Sequence, residues 1–209
     1  MPHTTFLNLP EGKRERIIKA ALEEFAHKGY RRGSIHRISF KAGVSKGSMY
    51  QYFTNKKDLF LYIFRITLEE KVRLVKKIAE ESKNLPFFEQ MDRIFSESQR
   101  YAREHPLTYL LYLKAKGEVP AEVRDTLDDY LESAGPGRHY ALLVQEALSR
   151  GEIRGDVDEE FAVFVVHTLM LALPPESSPK QNQFIEFLKN GLAPRDRGTG
   201  SLSHFQNTY

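Results

Sequence analysis

Apolar residues recur every three to four positions through most of this chain, and Gly and Pro interrupt the pattern at intervals. In residues 13–28, for example, Ile17, Ala21 and Phe25 fall on one face of a helix. No segment alternates apolar and polar residues as a half-buried strand would. The sequence contains no Cys, which excludes disulfides and thiolate metal sites. These patterns predict an all-α protein.

The Gly and Pro interruptions divide the chain into helices and indicate the boundaries between its domains. Gly29 and Gly43 are expected to end helices, and Ser34, Ser45 and Asn55 are typical N-cap residues. The predicted helices span about residues 13–28, 35–42, 46–52, 55–82, 87–105, 107–116, 121–132, 138–150, 158–173 and 179–191. They predict a flexible N-terminus at 1–10, a three-helix head at 11–57, a helical body at 58–193 and a flexible tail at 194–209.

Positive charge is concentrated at the start of the chain. Residues 1–57 contain twelve Lys and Arg against four Asp and Glu, whereas the remaining residues contain nineteen against twenty-four. A basic region attracts polyanions, since binding to phosphates releases condensed counterions. A solvated charged surface is the alternative, and charge alone does not decide between the two.

The head has the pattern of a helix-turn-helix, with short helices separated by tight turns and a Gly between the second and third. In this motif the third helix enters the major groove of DNA and its first residues meet base edges. Hydroxyl, amide and basic side chains at the starts of the second, third and fourth helices suit base or phosphate contacts. The candidate DNA-binding residues are Ser34, His36, Arg37, Ser45, Lys46, Gly47, Ser48, Tyr50, Gln51, Tyr52 and Lys56.

The gap-free run ISFKAGVSKGSMYQYF at 38–53, followed by Lys56 and Leu59, resembles the head of the tetracycline-repressor (TetR) family. The preceding residues match the family's first helix and its cap at Ile18, Ala21, Phe25, Gly29, Tyr30 and Ser34. The resemblance covers about residues 13–60. It implies a DNA-binding transcriptional regulator, a repressor that binds a palindromic operator as a homodimer.

The resemblance also implies roles for individual residues. Lys46, Ser48 and Gln51 are expected to contact bases or adjacent phosphates. Residues expected to hold the DNA backbone are Ser34, Gly47, Tyr50, Tyr52 and Lys56. Three positions depart from the family pattern, namely Arg37, Ser39 and Phe40; the first makes this face more basic. Packing of the head against the fourth helix is an alternative role for Tyr50 and Tyr52, and a solvated side chain is the alternative for Lys46.

Two further expectations follow from the resemblance. The last two helices, at 158–173 and 179–191, are expected to form a dimer interface through Phe161, Val165, Thr168, Leu169, Phe184, Phe187 and Leu188. The body is expected to hold a cavity for a small, partly apolar effector, with Tyr109, Tyr112 and His167 as polar groups. Other residues that could line it are Tyr62, Phe64, Met91, Phe95, Tyr101, Phe164 and Met170, for which ordinary core packing is the alternative.

Other functions find little support in the sequence. No nucleophile elbow, phosphate-binding loop or His-x-x-x-His spacing is present, so we expect neither catalysis nor a metal or other cofactor. No apolar run approaches the roughly 18 residues of a membrane span, and no charged-then-apolar leader opens the chain. A cytoplasmic location is therefore expected. A DNA-binding adaptor controlled by protein contact, without an inducer, stays open as an alternative.

Overall fold

The computed structural model describes residues 2–117, 119–172 and 178–194, and regular structure in these ranges is entirely helical. The all-α prediction is confirmed. None of the described helices is both long enough and apolar enough to cross a membrane. The helices are α1 Thr4–Leu7, α2 Glu11–Arg32, α3 Ile35–Ala42, α4 Lys46–Tyr52, α5 Lys56–Glu81, α6 Phe87–Glu104, α7 Pro106–Lys116, α8 Ala121–Ala134, α9 Gly137–Ser149, α10 Glu159–Ala172 and α11 Ser178–Leu192.

The caps of the head follow from its sequence. Ser34, Ser45 and Asn55 have extended backbone, and the side chain of each accepts a hydrogen bond from an amide in the first turn of α3, α4 or α5. Gly43 ends α3 in the left-handed conformation, at φ 67°. Gly29 also has φ 67°, but it kinks α2 and one more turn follows, so the helix ends at Arg32 and not at residue 28.

The N-terminus differs from the expected flexible segment. Thr4–Leu7 forms the short helix α1, and Phe6 on it is completely buried. The Phe6 ring centroid lies 4.8 Å from that of Phe53 and 5.5 Å from that of Tyr62. The Thr5 hydroxyl donates a hydrogen bond to the Gln51 carbonyl oxygen at 2.6 Å. A helix of four residues is too short to show an apolar periodicity, which is why the sequence did not reveal it.

One hydrophobic cluster continues across the predicted boundary between head and body. It joins α1–α4 to the first half of α5, to α7 and to α8. Phe60 of α5, for example, lies edge-on to Phe25 and Tyr30 of the head, at centroid distances of 5.1 and 5.2 Å. α2 also makes its most extensive contacts with α7. The head therefore packs against the body through both α5 and α7.

A second hydrophobic cluster fills the far end of the body. It joins the second half of α5 to α6, α9, α10 and α11. Met91, Phe95 and Tyr140 are among its fully buried residues. The predicted tail, apart from residue 194, lies outside the described residues.

Candidate nucleic-acid interface and body cavity

The outer face of α4 is polar and exposed. Met49 and Tyr52 face the core of the head, which leaves Lys46, Gly47 and Gln51 exposed on the opposite side. Tyr50 is also on this side and is 47% exposed. This arrangement suits a recognition helix, because an amine, a carboxamide and a phenol can reach groove edges or phosphates.

Two serines order the start of α4. The exposed Ser45 accepts a hydrogen bond from the Ser48 amide at 3.0 Å, and the two hydroxyl oxygens are 2.8 Å apart. Ser48 is partly buried. Its hydroxyl therefore belongs to the cap that orders the first turn of α4.

The start of α3 carries an ion pair that the sequence did not reveal. The Arg37 Nε donates to Glu24 Oε1 at 2.9 Å, and its NH2 group donates to the Arg32 carbonyl oxygen at 2.5 Å. The hydrogen bond to Glu24 raises the pKa of Arg37. Glu24 also accepts from the Ser34 amide. Arg37 thus holds the α2–α3 corner together, and His36 beside it is exposed.

Tyr52 and Lys56 differ from the expectation that they hold the DNA backbone. Tyr52 is only 6% exposed, because α1 covers its ring; Lys13 lies over it with Nζ 5.8 Å from the centroid. Tyr52 therefore packs in the core of the head, against Phe6 of α1. The Lys56 amine donates to the carbonyl oxygens of Arg31 and Gly33 at 3.2 and 3.4 Å, so it caps the end of α2.

A cavity of about 70 Å³ lies in the body between α5, α6 and α7. Four of the aromatic residues named from the sequence line it, namely Phe64, Tyr101, Tyr109 and Tyr112. A second cavity of about 230 Å³ lies between α5, α7 and α8, and it shares Phe64 and Tyr112 with the first. These two side chains therefore border both cavities.

The other predicted cavity residues lie elsewhere. Tyr62 packs on Phe6, and Met91 and Phe95 are fully buried in the second cluster. Phe164 is 64% exposed. His167 packs near Tyr140, with ring centroids 6.1 Å apart; burial and two nearby lysines lower its pKa. The side chain of Met170 is outside the described residues. Helical spacing identified apolar positions but not the cavity that some of them face.

Sequence reasoning named Tyr109 and Tyr112 among the polar residues of the first cavity but missed Lys71. This residue follows Phe64, Thr67 and Leu68 at spacings of three and four, so it lies on the same face of α5. A lysine within an apolar stripe was the available signal. Burial, together with the charge of Lys116, lowers the pKa of Lys71 to about 8. Burial also raises the pKa of Tyr112 to about 12.

The predicted dimer residues divide between surface and core. Phe161 and Phe164 are 58% and 64% exposed, one turn apart on α10, with Thr168 exposed in the next turn. Phe187 on α11 is 65% exposed, whereas Val165 and Leu169 are partly buried. Leu188 was wrongly predicted, because it is 1% exposed within the second cluster. The side chain of Phe184 is outside the described residues.

Across the described part of the chain, no group of three or more His, Asp or Glu could hold a metal ion.

Comparisons with known proteins agree with the head and with the fold. Residues 17–63 match the family model described as bacterial regulatory proteins, tetR family. The chain is 26% identical to YhgD, an uncharacterized HTH-type transcriptional regulator of Bacillus subtilis, over 77% of this chain and 82% of the relative.

Two solved structures extend the likeness to the body. A TetR family transcriptional regulator from Chloroflexus aurantiacus superimposes with a TM-score of 0.66 at 26% identity, covering 93% of this chain and all of that one. The transcriptional regulator FadR from Bacillus subtilis, in complex with stearoyl-CoA, gives a TM-score of 0.70 at 21% identity, covering 85% of this chain and 98% of that one.

The matched head, the exposed polar face of α4 and the shared architecture agree, and the chain belongs to the tetR family of bacterial regulatory proteins as a DNA-binding transcriptional regulator.

Proposed function

We propose that this protein is a homodimeric repressor that binds a palindromic operator and is released by a small, partly apolar effector. The exposed polar face of α4, with Lys46 at its first turn, is the observation that carries the DNA-binding part. A two-fold dimer presents two such helices, and palindromic half-sites mirror that symmetry. A bacterial regulator of this kind acts in the cytoplasm, where the DNA is.

Exposed phenylalanines support the dimer. Phe161, Phe164 and Phe187 lie on the last two helices and are each more than half exposed. Aromatic side chains on the surface lose favourable burial unless a partner covers them, and homodimer interfaces are rich in them. The exposed face of α10 continues through Thr168, so a partner has a stripe and not a single side chain to cover.

The position of the first cavity supports control by an effector. Phe64 and Lys71 line it from α5, and Tyr109 and Tyr112 line it from α7. Both helices also pack against the head. Two spacings of these helices would place the head in two different positions. A ligand that binds one of them more tightly shifts the equilibrium toward it, and the size of the shift is limited by the difference in affinity.

One pair of substitutions tests the recognition helix. We expect Lys46→Ala to change which sequences are preferred in operator selection from random duplex DNA, because a base contact contributes roughly 1–3 kcal/mol of discrimination. Tyr50→Phe should weaken binding to all sequences by a similar factor, as the loss of a phosphate contact does. Electrophoretic mobility shifts on selected and scrambled duplexes measure both. An unchanged preference in Lys46→Ala would show that this lysine does not read bases.

A DNA-binding regulator controlled by protein contact, without an inducer, is the second candidate. Phe40 on α3 favours it, since this phenylalanine is 84% exposed on the head. A partner protein that covered Phe40 would act on the head directly. Phe40→Ser would then abolish regulation and leave operator affinity unchanged, whereas an effector-controlled repressor would respond to its ligand as before.

A further inference from the structure

The charged side chain that lines the first cavity is positive. Lys71 is partly buried on its wall, and no ion pair joins the amine to a carboxylate within the described residues. No acidic side chain is among the described residues that line this cavity. Glu70, which is not among the lining residues, accepts a hydrogen bond from the hydroxyl of the lining residue Tyr101 at 3.1 Å. An unpaired amine in a partly enclosed space favours an anion.

Tyr112 adds a second donor beside this amine. The Lys71 Nζ lies 5.4 Å from the Tyr112 ring centroid, and the Lys116 Nζ lies 5.2 Å from it. The Tyr112 hydroxyl is buried and has no hydrogen-bond partner among the described residues, and the same holds for the hydroxyl of Ser98, which also lines the cavity. A buried donor without a partner costs about 1–3 kcal/mol, which an accepting ligand recovers.

Both cavities carry apolar side chains that suit a hydrocarbon chain, and the second is also lined by the charged residues Lys116, Arg124 and Asp128. Phe64, Leu68 and Ala102 line the first cavity, and Leu127 and Leu131 line the second. The first cavity alone is small, since a hydrophobic cavity that binds benzene has a volume of about 150 Å³. The larger second cavity begins on the other side of Phe64 and Tyr112. A movement of these two rings would join the cavities into one space for a longer ligand.

We propose that the effector is an amphipathic carboxylate whose anionic group binds between the Lys71 amine and the Tyr112 hydroxyl, with its hydrocarbon chain extending past Phe64 into the second cavity. This inference rests on the proposed effector-controlled function and adds the chemical class of the ligand. Carboxylate oxygens accept hydrogen bonds from both groups, and a charge-assisted bond to an ammonium is among the strong ones.

Three probes of equal chain length test the charge, namely octanoate, methyl octanoate and octylamine. Isothermal titration of the full-length protein should show octanoate binding at least about tenfold more tightly than either of the others. Lys71→Met should weaken octanoate binding by about tenfold to a hundredfold, and Tyr112→Phe by about threefold to tenfold. Lys77→Met is the matched control, because Lys77 is on the same helix but is exposed and paired with Glu81; it should leave binding unchanged.

The pH dependence provides a readout that a merely structural role would not move. Octanoate affinity should stay level from about pH 6 to about pH 7 and fall above the Lys71 pKa of about 8, as the amine loses its charge. Lys71→Met should abolish this fall. Other titratable groups near the amine are Tyr101, His105, Tyr109, Tyr112, Lys116 and His167. Their contributions persist in the variant, so the difference between the two profiles reports Lys71.

The outcomes separate this inference from the proposed function. Equal binding of methyl octanoate and octanoate, or octanoate binding unaffected by Lys71→Met, overturns the carboxylate site while operator binding stands. Failure of all three probes to bind a protein that still binds its selected operator overturns it as well. Failure to select any operator contradicts the proposed function itself. Tighter binding of longer carboxylates, from butyrate to decanoate, supports the path into the second cavity.

Discussion

The substitution Phe6→Ala is expected to lower the free energy of unfolding by about 3 kcal/mol and to weaken operator binding. Phe6 is completely buried and contacts the rings of Tyr52, Phe53 and Tyr62. Truncating it removes the only fully buried side chain of α1 and exposes the aromatic cluster beneath. Urea denaturation followed by circular dichroism measures the loss.

The effect on DNA follows from what else α1 holds. The His3 amide donates to the Tyr52 carbonyl oxygen at 2.9 Å, and the Thr5 hydroxyl donates to that of Gln51. These bonds satisfy carbonyl groups at the end of α4, so a detached α1 leaves the recognition helix less well fixed. Leu7→Ala is the control, because Leu7 is 51% exposed and should change stability by no more than about 0.5 kcal/mol. Equal stabilities for both variants would mean that α1 does not pack in solution.

The double substitution Phe161→Asp and Phe164→Asp is expected to convert the proposed dimer into a monomer and to lower operator affinity by about a hundredfold or more. Two carboxylates opposite their own copies in a two-fold interface repel each other and lose their hydration, each of which costs several kcal/mol. Sedimentation velocity measures the mass, and mobility shifts measure the affinity. Because both side chains are exposed in the single chain, its fold should stay intact.

Leu142→Asp is the matched control for this pair. Leu142 is also apolar and 61% exposed, but it lies on α9 in a groove with Val72 and Lys76 of α5. The control should remain dimeric and bind operator like the unsubstituted protein. A dimer that persists in the double variant would contradict an interface built on α10.

The head could be predicted from the sequence because its information is local. The caps at Ser34, Ser45 and Asn55 act through the next three residues, and Gly43 ends α3 through its own backbone angle. Apolar spacing within α4 likewise separates Met49 from Lys46 and Gln51. Interactions over a few residues repeat wherever such sequences occur, so the local sequence is sufficient to determine the helix-turn-helix and its exposed face.

Residues whose role depends on distant partners could not be assigned in this way. Lys56 and Arg37 were both candidate DNA-binding residues. In the structure, the Lys56 amine binds a carbonyl oxygen at the end of α2. Arg37 binds the Glu24 carboxylate and the Arg32 carbonyl oxygen. Leu188 and Phe187 are adjacent in an amphipathic helix, but Leu188 is buried and Phe187 is exposed. A periodic pattern marks apolar positions and does not say which of several neighbours will cover each one.

By itself, the sequence determined the helical class, the helix boundaries to within a few residues, the helix-turn-helix and the basic charge of the head. The tertiary structure decided that Phe6 anchors an N-terminal helix, that Tyr52 belongs to the core, and that Lys71 and Tyr112 share a cavity wall. The physical reason is the range of the forces involved. Helix propensity and capping act within one or two turns, whereas burial and charge environment depend on which helices the folded chain brings together.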